Sequence, residues 1–149
     1  MPVTRRSRTV PAAPAVVWRT VGDPRHLPRW WPRVERVESA DGRGFTEVLR
    51  SDKGALVRAD FRLLERREPE LVRWAQEVEG TPFERLLASS ETRVVLAADG
   101  GGTRVELRLA QKLRGVARLG GFLVGRAARR QLDDALEGLQ RLHGEADPA

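Results

Sequence analysis

Few side chains in this sequence could transfer a proton near neutral pH. The chain has two histidines, His26 and His143, and neither tyrosine nor cysteine. The lack of cysteine excludes disulfides, thiolate nucleophiles and cysteine-ligated zinc. His26 follows Asp23-Pro24 in a short helix that is expected to be exposed, which favours a solvated side chain. His143 lies near the end of a long helix, where the helix dipole favours a cation.

Glu47 is the one carboxyl group whose position suggests chemistry. It alternates with Phe45 and Leu49 in a predicted strand, so these three side chains share a face. If that face is the apolar one, burial raises the pKa of Glu47 and makes it a candidate general acid or base. The alternative is that Thr46 and Val48 point inward and Glu47 lies in solvent.

Other catalytic constellations are missing from the sequence. There is no nucleophile–base pair and no cluster of metal-ligating residues. Gly100-Gly101-Gly102 leads into a strand, whereas a phosphate-binding loop opens a helix. The sequence therefore predicts no metal and no cofactor, and it leaves open whether the protein is an enzyme.

A long helix, predicted from about Gly120 to His143, must position any site. Its apolar stripe is large in the second half, at Leu132, Leu136, Leu139 and Leu142, and small in the first half, at Gly121, Gly125 and Ala128. Glycine within a helix costs about 0.5–1 kcal/mol relative to alanine, so the small half needs a steric reason. Either the helix packs closely there, or it leaves room for a ligand.

Strands make up most of the remaining chain. Six alternating segments, at residues 34–40, 45–51, 56–66, 71–79, 83–98 and 103–112, are joined by short turns rich in Gly, Pro or Asp. This pattern predicts an antiparallel meander with one apolar and one charged face. Residues 3–10 form a further predicted strand near an edge. Two short helices follow it, at residues 14–21 and 23–29, with Asp23 as the N-cap of the second.

Trp30-Trp31-Pro32 closes this helical section. The two tryptophans are either a lid over a cavity or a plug that seals one end of the core. Adjacent residues in a short turn rarely both point inward, so at least one of them is expected to be partly exposed.

Composition excludes several classes of protein. The chain has 149 residues, a net charge of +6 and no apolar run near the roughly 18 residues that span a bilayer. Its basic residues are interspersed with acids, so a nucleic-acid partner is not expected. Arg5-Arg6 resembles an export signal, but Pro11 and Pro14 interrupt the apolar part, which favours a cytoplasmic protein. We expect a single domain over residues 1–149 with a flexible tail at 144–149.

The order of elements resembles the helix-grip fold of the START/Bet v 1-like superfamily, which includes polyketide cyclase/dehydrase-like proteins. Three stretches carry the resemblance: residues 9–18 (TVPAAPAVVW), Asp23-Pro24 followed by Trp30-Trp31-Pro32, and Gly102-Thr103-Arg104-Val105. The resemblance implies an α+β fold in which a curved, seven-stranded antiparallel sheet wraps around the long C-terminal helix. It also implies a cavity between sheet and helix for a lipid, polyketide or other apolar molecule.

We therefore expect a ligand site that combines sheet and helix residues: Trp31, Phe61, Trp74, Gln76, Leu107, Gly121, Gly125 and Ala128. The first hypothesis for function is the binding of a small apolar or aromatic ligand. The second is a cyclase/dehydrase-type enzyme, with Glu47 as the catalytic candidate. The third is a protein or ribonucleoprotein interaction module, which predicts a filled core. Phe122-Leu123 indicates a partner or homodimer contact, unless the helix starts near Val124.

Overall fold

A computed structural model describes residues 2–118 and 120–144, apart from the side chains of Val116, Ala117 and Phe122. In this part of the chain, seven strands form one antiparallel sheet in the order β1-β7-β6-β5-β4-β3-β2. The strands are β1 (Val3–Val10), β2 (Val34–Glu38), β3 (Gly44–Arg50), β4 (Leu56–Arg67), β5 (Leu71–Gln76), β6 (Leu87–Asp99) and β7 (Gly102–Leu113). The helices are α1 (Pro14–Val21), α2 (Leu27–Trp30) and α3 (Gly121–His143). The predicted helix-grip fold is confirmed.

The inner face of the sheet is the apolar face that alternation predicts. Partners such as Phe45 and Phe61, or Leu63 and Trp74, lie opposite each other on neighbouring strands and therefore on one face. Helix α3 covers this face mainly over β1 and β7. It buries the large half of its stripe there, and Arg6 of β1 is 3.2 Å from Asp133 of α3.

A close contact between α2 and α3 occurs at a glycine that the prediction did not single out. A Cβ atom on Gly138 would lie 2.8 Å from the Cα of Trp30 and closer still to the carbonyl oxygen of Trp30. Gly138 therefore lets α3 lie directly on α2. The first half of α3 behaves differently: a Cβ on Gly121 would meet no atom within 4 Å, and one on Gly125 only the Arg129 guanidinium at 3.6 Å.

Three details of the prediction were wrong. Strand β5 ends at Gln76 rather than at residue 79, and Pro82–Arg85 is a 3₁₀ turn rather than a strand, because the Thr81 hydroxyl caps it by accepting a bond from Phe83 N. The second helix is split into a 3₁₀ turn, Pro24–His26, and α2.

Both tryptophans at the end of α2 are buried, with Trp30 2% and Trp31 6% exposed, so the expectation of an exposed one was also wrong. The chain turns from helical to extended at Trp31, which directs the two rings into different parts of the core.

Two further expectations lie partly outside the described residues. The predicted tail falls almost entirely on residues 145–149, and the side chain of Phe122 is not described either. None of the helices in the described residues is both long enough and apolar enough to cross a membrane.

Candidate ligand-binding site

A cavity of about 420 Å³ opens between the inner face of the sheet and the segment that joins α1 to α2. Its volume lies within the range of about 300–1,000 Å³ that is usual for small-molecule sites. The sheet contributes an apolar floor, and Val21 and Leu27 face it from the helical side. The floor consists of Phe45 of β3, Leu63 of β4, and Val72 and Trp74 of β5.

A cluster of aromatic rings holds this floor in place. The rings of Phe45 and Phe61 are stacked with centroids 5.2 Å apart, and Trp74 meets Phe45 edge-on at 6.0 Å. Trp31 packs behind Trp74, at 6.3 Å between centroids, and Trp30 packs against Trp31 at 5.3 Å. Such edge-on and stacked pairs stabilise one another beyond simple burial. The floor is therefore preorganised, and it presents ring faces and edges to whatever enters.

Charged side chains surround the opening. Asp23 and Arg25 pair with each other at 2.9 Å, and this contact lowers the pKa of the Asp23 carboxyl. The pKa of Asp41 is also lowered, because its carboxylate accepts hydrogen bonds from the backbone N–H groups of Arg43 and Gly44. Both acids are thus ionised and already have donors at the opening.

Arg66 is held at the opening by contacts with neutral groups. Its Nε donates to the carbonyl of Gly22 at 3.2 Å, and its guanidinium carbon lies 5.1 Å from the centre of the Trp18 ring. No carboxylate of the described residues forms an ion pair with Arg66. A cation over an aromatic ring is fixed in direction without losing its positive charge.

A β-bulge explains why alternation did not predict Arg66. Residues 57, 59, 61 and 63 face inward, so a regular strand would place Glu65 inward as well. The pairing shifts between Leu63 and Glu65, after which Glu65 lies opposite Arg73 and Arg66 lies opposite the inward Val72. The extra residue thus reverses the faces at the end of β4. The sequence carries no distinct signal for this bulge.

Glu47 points inward, which is one of the two orientations that the sequence allowed. It lies opposite Ala59 of β4 and Val37 of β2, and it is 3% exposed. Burial raises the pKa of the carboxyl to about 8, so it is protonated at neutral pH. It is two residues along β3 from Phe45 and is not part of the cavity lining. Its chemical capacity is that of a neutral hydrogen-bond donor.

The structure brings together only some of the predicted ligand-binding residues. Trp74 lines the cavity, and Phe61 and Trp31 support the lining from behind. Gln76 faces inward opposite Phe61, and its buried Nε2 has no partner among the described residues. The others lie apart from the cavity: Leu107 and Ala128 are in the core under α3, and Gly121 and Gly125 are half-buried with open space beside them.

The two histidines have structural contacts rather than catalytic ones. Nδ1 of His26 lies 2.8 Å from the carbonyl oxygen of Arg19. Nε2 of His143 lies 2.8 Å from the hydroxyl of Thr20, and burial together with nearby Arg29 lowers the pKa of His143. At this position desolvation outweighs the preference of the helix dipole for a cation. Within residues 2–118 and 120–144, no three His, Asp or Glu side chains are grouped as metal ligands would be.

Comparison with known proteins identifies the family of the chain. A family model described as polyketide cyclase/dehydrase and lipid transport matches residues 1–144. No curated protein matches the chain.

Several solved structures share the fold. TTHA0849 from Thermus thermophilus is 26% identical over 94% of this chain and 95% of its own, with a TM-score of 0.74. Ara h 8.0201 is 17% identical, covering 95% of this chain and 96% of its own, with a TM-score of 0.73. The di-domain ARO/CYC BexL from the BE-7585A biosynthetic pathway is also 17% identical, over 98% of this chain and 50% of BexL, with a TM-score of 0.72.

Proposed function

Since this chain belongs to the polyketide cyclase/dehydrase and lipid transport family, within the START/Bet v 1-like superfamily, we propose that it binds a small apolar or aromatic molecule. The proposed site is the cavity beside the α1–α2 segment, and the observation that carries the proposal is its preorganised floor of Phe45, Leu63 and Trp74. Burial of apolar ligand surface against this floor contributes about 25 cal/mol per Å².

The charges at the opening add a preference within this class. Asp23 and Asp41 are engaged by donors of the protein itself, whereas Arg66 has no carboxylate partner in the described residues. A ligand oxygen with negative charge, on a carboxylate or phenolate for example, would meet Arg66 at the solvent end of the cavity. The proposed ligand is therefore an apolar or aromatic body with an acidic or strongly polar end.

Native mass spectrometry of the purified protein, beside its mass after denaturation, tests for a bound molecule directly. A ligand acquired during expression appears as extra mass that is lost on denaturation. A direct binding assay uses 1-anilinonaphthalene-8-sulfonate, which has an aromatic body and an anionic group, with its fluorescence as the readout.

Two neighbouring leucines provide a matched pair of variants. Leu63 lines the cavity, whereas Leu64 lies on the same strand and is exposed. Leu63→Trp should fill the cavity and weaken binding of the probe at least tenfold, while Leu64→Trp should leave binding unchanged. Equal effects of the two substitutions, or no probe binding and no adduct in the parent protein, would contradict the proposed site.

A second candidate function is an enzyme of the cyclase/dehydrase type, with the buried Glu47 as its acid. Glu47 lies two residues beyond Phe45 on β3 and outside the cavity lining, so this function requires a substrate that reaches past Phe45. A carboxylic acid kept neutral at pH 7 can donate a hydrogen bond or a proton to a carbonyl oxygen. Under this alternative, Glu47→Gln retains ligand binding and abolishes turnover of a polyketide-like substrate. The third hypothesis, an interaction module, requires a filled core, and the 420 Å³ cavity argues against it.

We also propose that the protein is cytoplasmic. The Arg5-Arg6 pair belongs to strand β1, which pairs with β7 from Val3 to Val10. The two arginines are thus part of the folded sheet.

A further inference from the structure

One stretch of the chain departs from the interspersed charge that the sequence as a whole suggests. No acidic residue occurs between Glu106 and Asp133, and seven basic residues do. The whole chain has a net charge of +6, so the residues outside this stretch are together close to neutral. The expectation that basic and acidic residues are interspersed was wrong for this stretch. The structure shows where its excess of positive charge lies.

Most of these basic side chains lie at one end of the sheet. The stretch runs from the end of β7 through the 3₁₀ turn Gly115–Arg118 into the first turns of α3. The neighbouring turn before β6 joins it, since Arg114 N donates to the carbonyl of Leu86 at 2.8 Å. The exposed basic residues are Arg85, Lys112, Arg114, Arg118, Arg126, Arg129 and Arg130. Arg108 is set apart, because its Nε is buried on the outer face of the sheet.

These charges are not neutralised by carboxylates of the described residues, since none of the seven forms an ion pair there. Several arginines elsewhere on the sheet are paired: Arg58 pairs with Glu38, and Arg73 pairs with both Glu65 and Glu91. This end of the molecule therefore presents a concentrated positive field to a partner.

The same end carries the two most exposed large apolar side chains among the described residues. Leu123 is 66% exposed and Leu86 is 51% exposed. At about 100° per residue, Leu123 shares the outward face of α3 with Arg126 and Arg130, opposite the buried stripe. Leu86 belongs to the turn that is bonded to Arg114. This surface therefore combines exposed leucine side chains with surrounding basic side chains.

We propose that this surface, defined by the seven basic residues with Leu86 and Leu123, docks the protein on an anionic lipid bilayer. Each Lys or Arg near such a bilayer strengthens binding by roughly fivefold, and apolar side chains enter the boundary between headgroups and acyl chains. The exposed leucines favour a bilayer over a nucleic acid, which attracts the cations but has no apolar layer for the leucines. The cavity lies at the end of the sheet where β3 begins and β4 ends, and the proposed surface lies at the opposite end. The proposal is therefore independent of the proposed ligand site.

Co-sedimentation with vesicles tests this proposal on the intact protein. We expect binding to vesicles of phosphatidylcholine mixed with phosphatidylglycerol, little binding to phosphatidylcholine alone, and a loss of binding at high salt. The double substitution Arg126→Glu/Arg130→Glu should weaken binding at least about tenfold. Leu123→Ser should weaken it severalfold with the charge unchanged.

Control variants carry the same chemical changes on the outer face of the sheet. Arg58→Glu/Arg62→Glu and Leu64→Ser alter residues that are also exposed but lie away from the proposed surface. Vesicle binding should be unaffected by them. Equal losses in test and control variants, or no preference for anionic vesicles, would overturn the proposal.

Duplex RNA serves as the competing partner in a parallel anisotropy titration. Tighter binding to RNA than to anionic vesicles, with no effect of Leu123→Ser, would replace the bilayer by a nucleic acid and so refute the proposal. The probe-binding assay on Arg126→Glu/Arg130→Glu should give the parent affinity, which shows that the cavity is intact and separates this test from that of the proposed function.

Discussion

The buried carboxyl of Glu47 makes stability depend on pH in a way that can be calculated. Its pKa is raised from an ordinary 4.5 to about 8 in the folded protein by burial alone. Because the folded state holds this proton more tightly, its contribution to stability is complete below pH 4.5 and is lost as the pH rises to 8. At 1.36 kcal/mol per pKa unit, the full loss is about 5 kcal/mol. That is a large share of the roughly 5–15 kcal/mol by which domains are stable.

Glu47→Gln removes the titration while nearly preserving shape. The difference in unfolding free energy between variant and parent should move in favour of the variant by about 2–3 kcal/mol between pH 5 and pH 7. The absolute value at one pH is less informative, because an amide buried without partners has its own desolvation cost. The change of this free-energy difference with pH reports the protonation of Glu47 alone.

Urea unfolding followed by tryptophan fluorescence at several pH values from 5 to about 8.5 measures this difference. Carboxyl groups with lowered pKa, such as Asp23 and Asp41, contribute equally to both proteins and cancel. Glu79→Gln, at an exposed position, is the control for the loss of a carboxylate. If the unfolding free energies of the parent and of Glu47→Gln run parallel across this range, Glu47 is not held neutral in the folded state.

Further predictions concern two glycines and a histidine. Gly138→Ala should destabilise the protein by about 1–3 kcal/mol or more, because the new Cβ collides with the backbone of Trp30. Gly125 has open space beside it, so Gly125→Ala should stabilise the protein by about 0.5–1 kcal/mol. Equal effects of the two substitutions in urea unfolding would show that α3 does not lie as described. His143 should titrate by NMR below the ordinary histidine range, since burial and Arg29 lower its pKa. The His143 proton is then taken up first by the unfolded state, so stability falls as the pH drops below about 6.5; an unshifted titration would contradict the burial of the ring beside Thr20.

The sequence predicted the fold well because alternation and turn residues are local signals. Alternation along the strands predicts one apolar face, and the large half of the α3 stripe needs such a face to cover. The site was harder to predict, because it depends on where α3 crosses the sheet. The prediction combined Gly125 and Leu107 as pocket residues, with the small half of the helix opposite sheet residues such as Trp74. The helix instead lies over β1 and β7, and the cavity forms beside the α1–α2 segment.

Two non-local events account for the residues that sequence reasoning missed. The bulge after Leu63 brings Arg66 to the inner side, and no propensity in the sequence distinguishes it from a regular strand. The close approach of α3 to α2 at Gly138 depends on a contact more than a hundred residues apart in sequence. For Glu47, alternation narrowed the choice to two faces, and only the pairing with Ala59 decides between them.

The pairing of β1 with β7 also constrains how the protein is made. Val3 lies opposite Ala110, and α3 follows β7 in the chain, so β1 has to remain unpaired, and the sheet uncovered, until β7 and α3 have been synthesised. Until then the apolar face of the meander is exposed and can aggregate with other chains. Strand pairing between residues so distant in sequence also forms slowly. Three of the eight residues of β1 are arginines, and charged side chains on an unpaired strand oppose aggregation. The pairing of β1 with β7 and the packing of α3 are therefore expected to be late steps of folding.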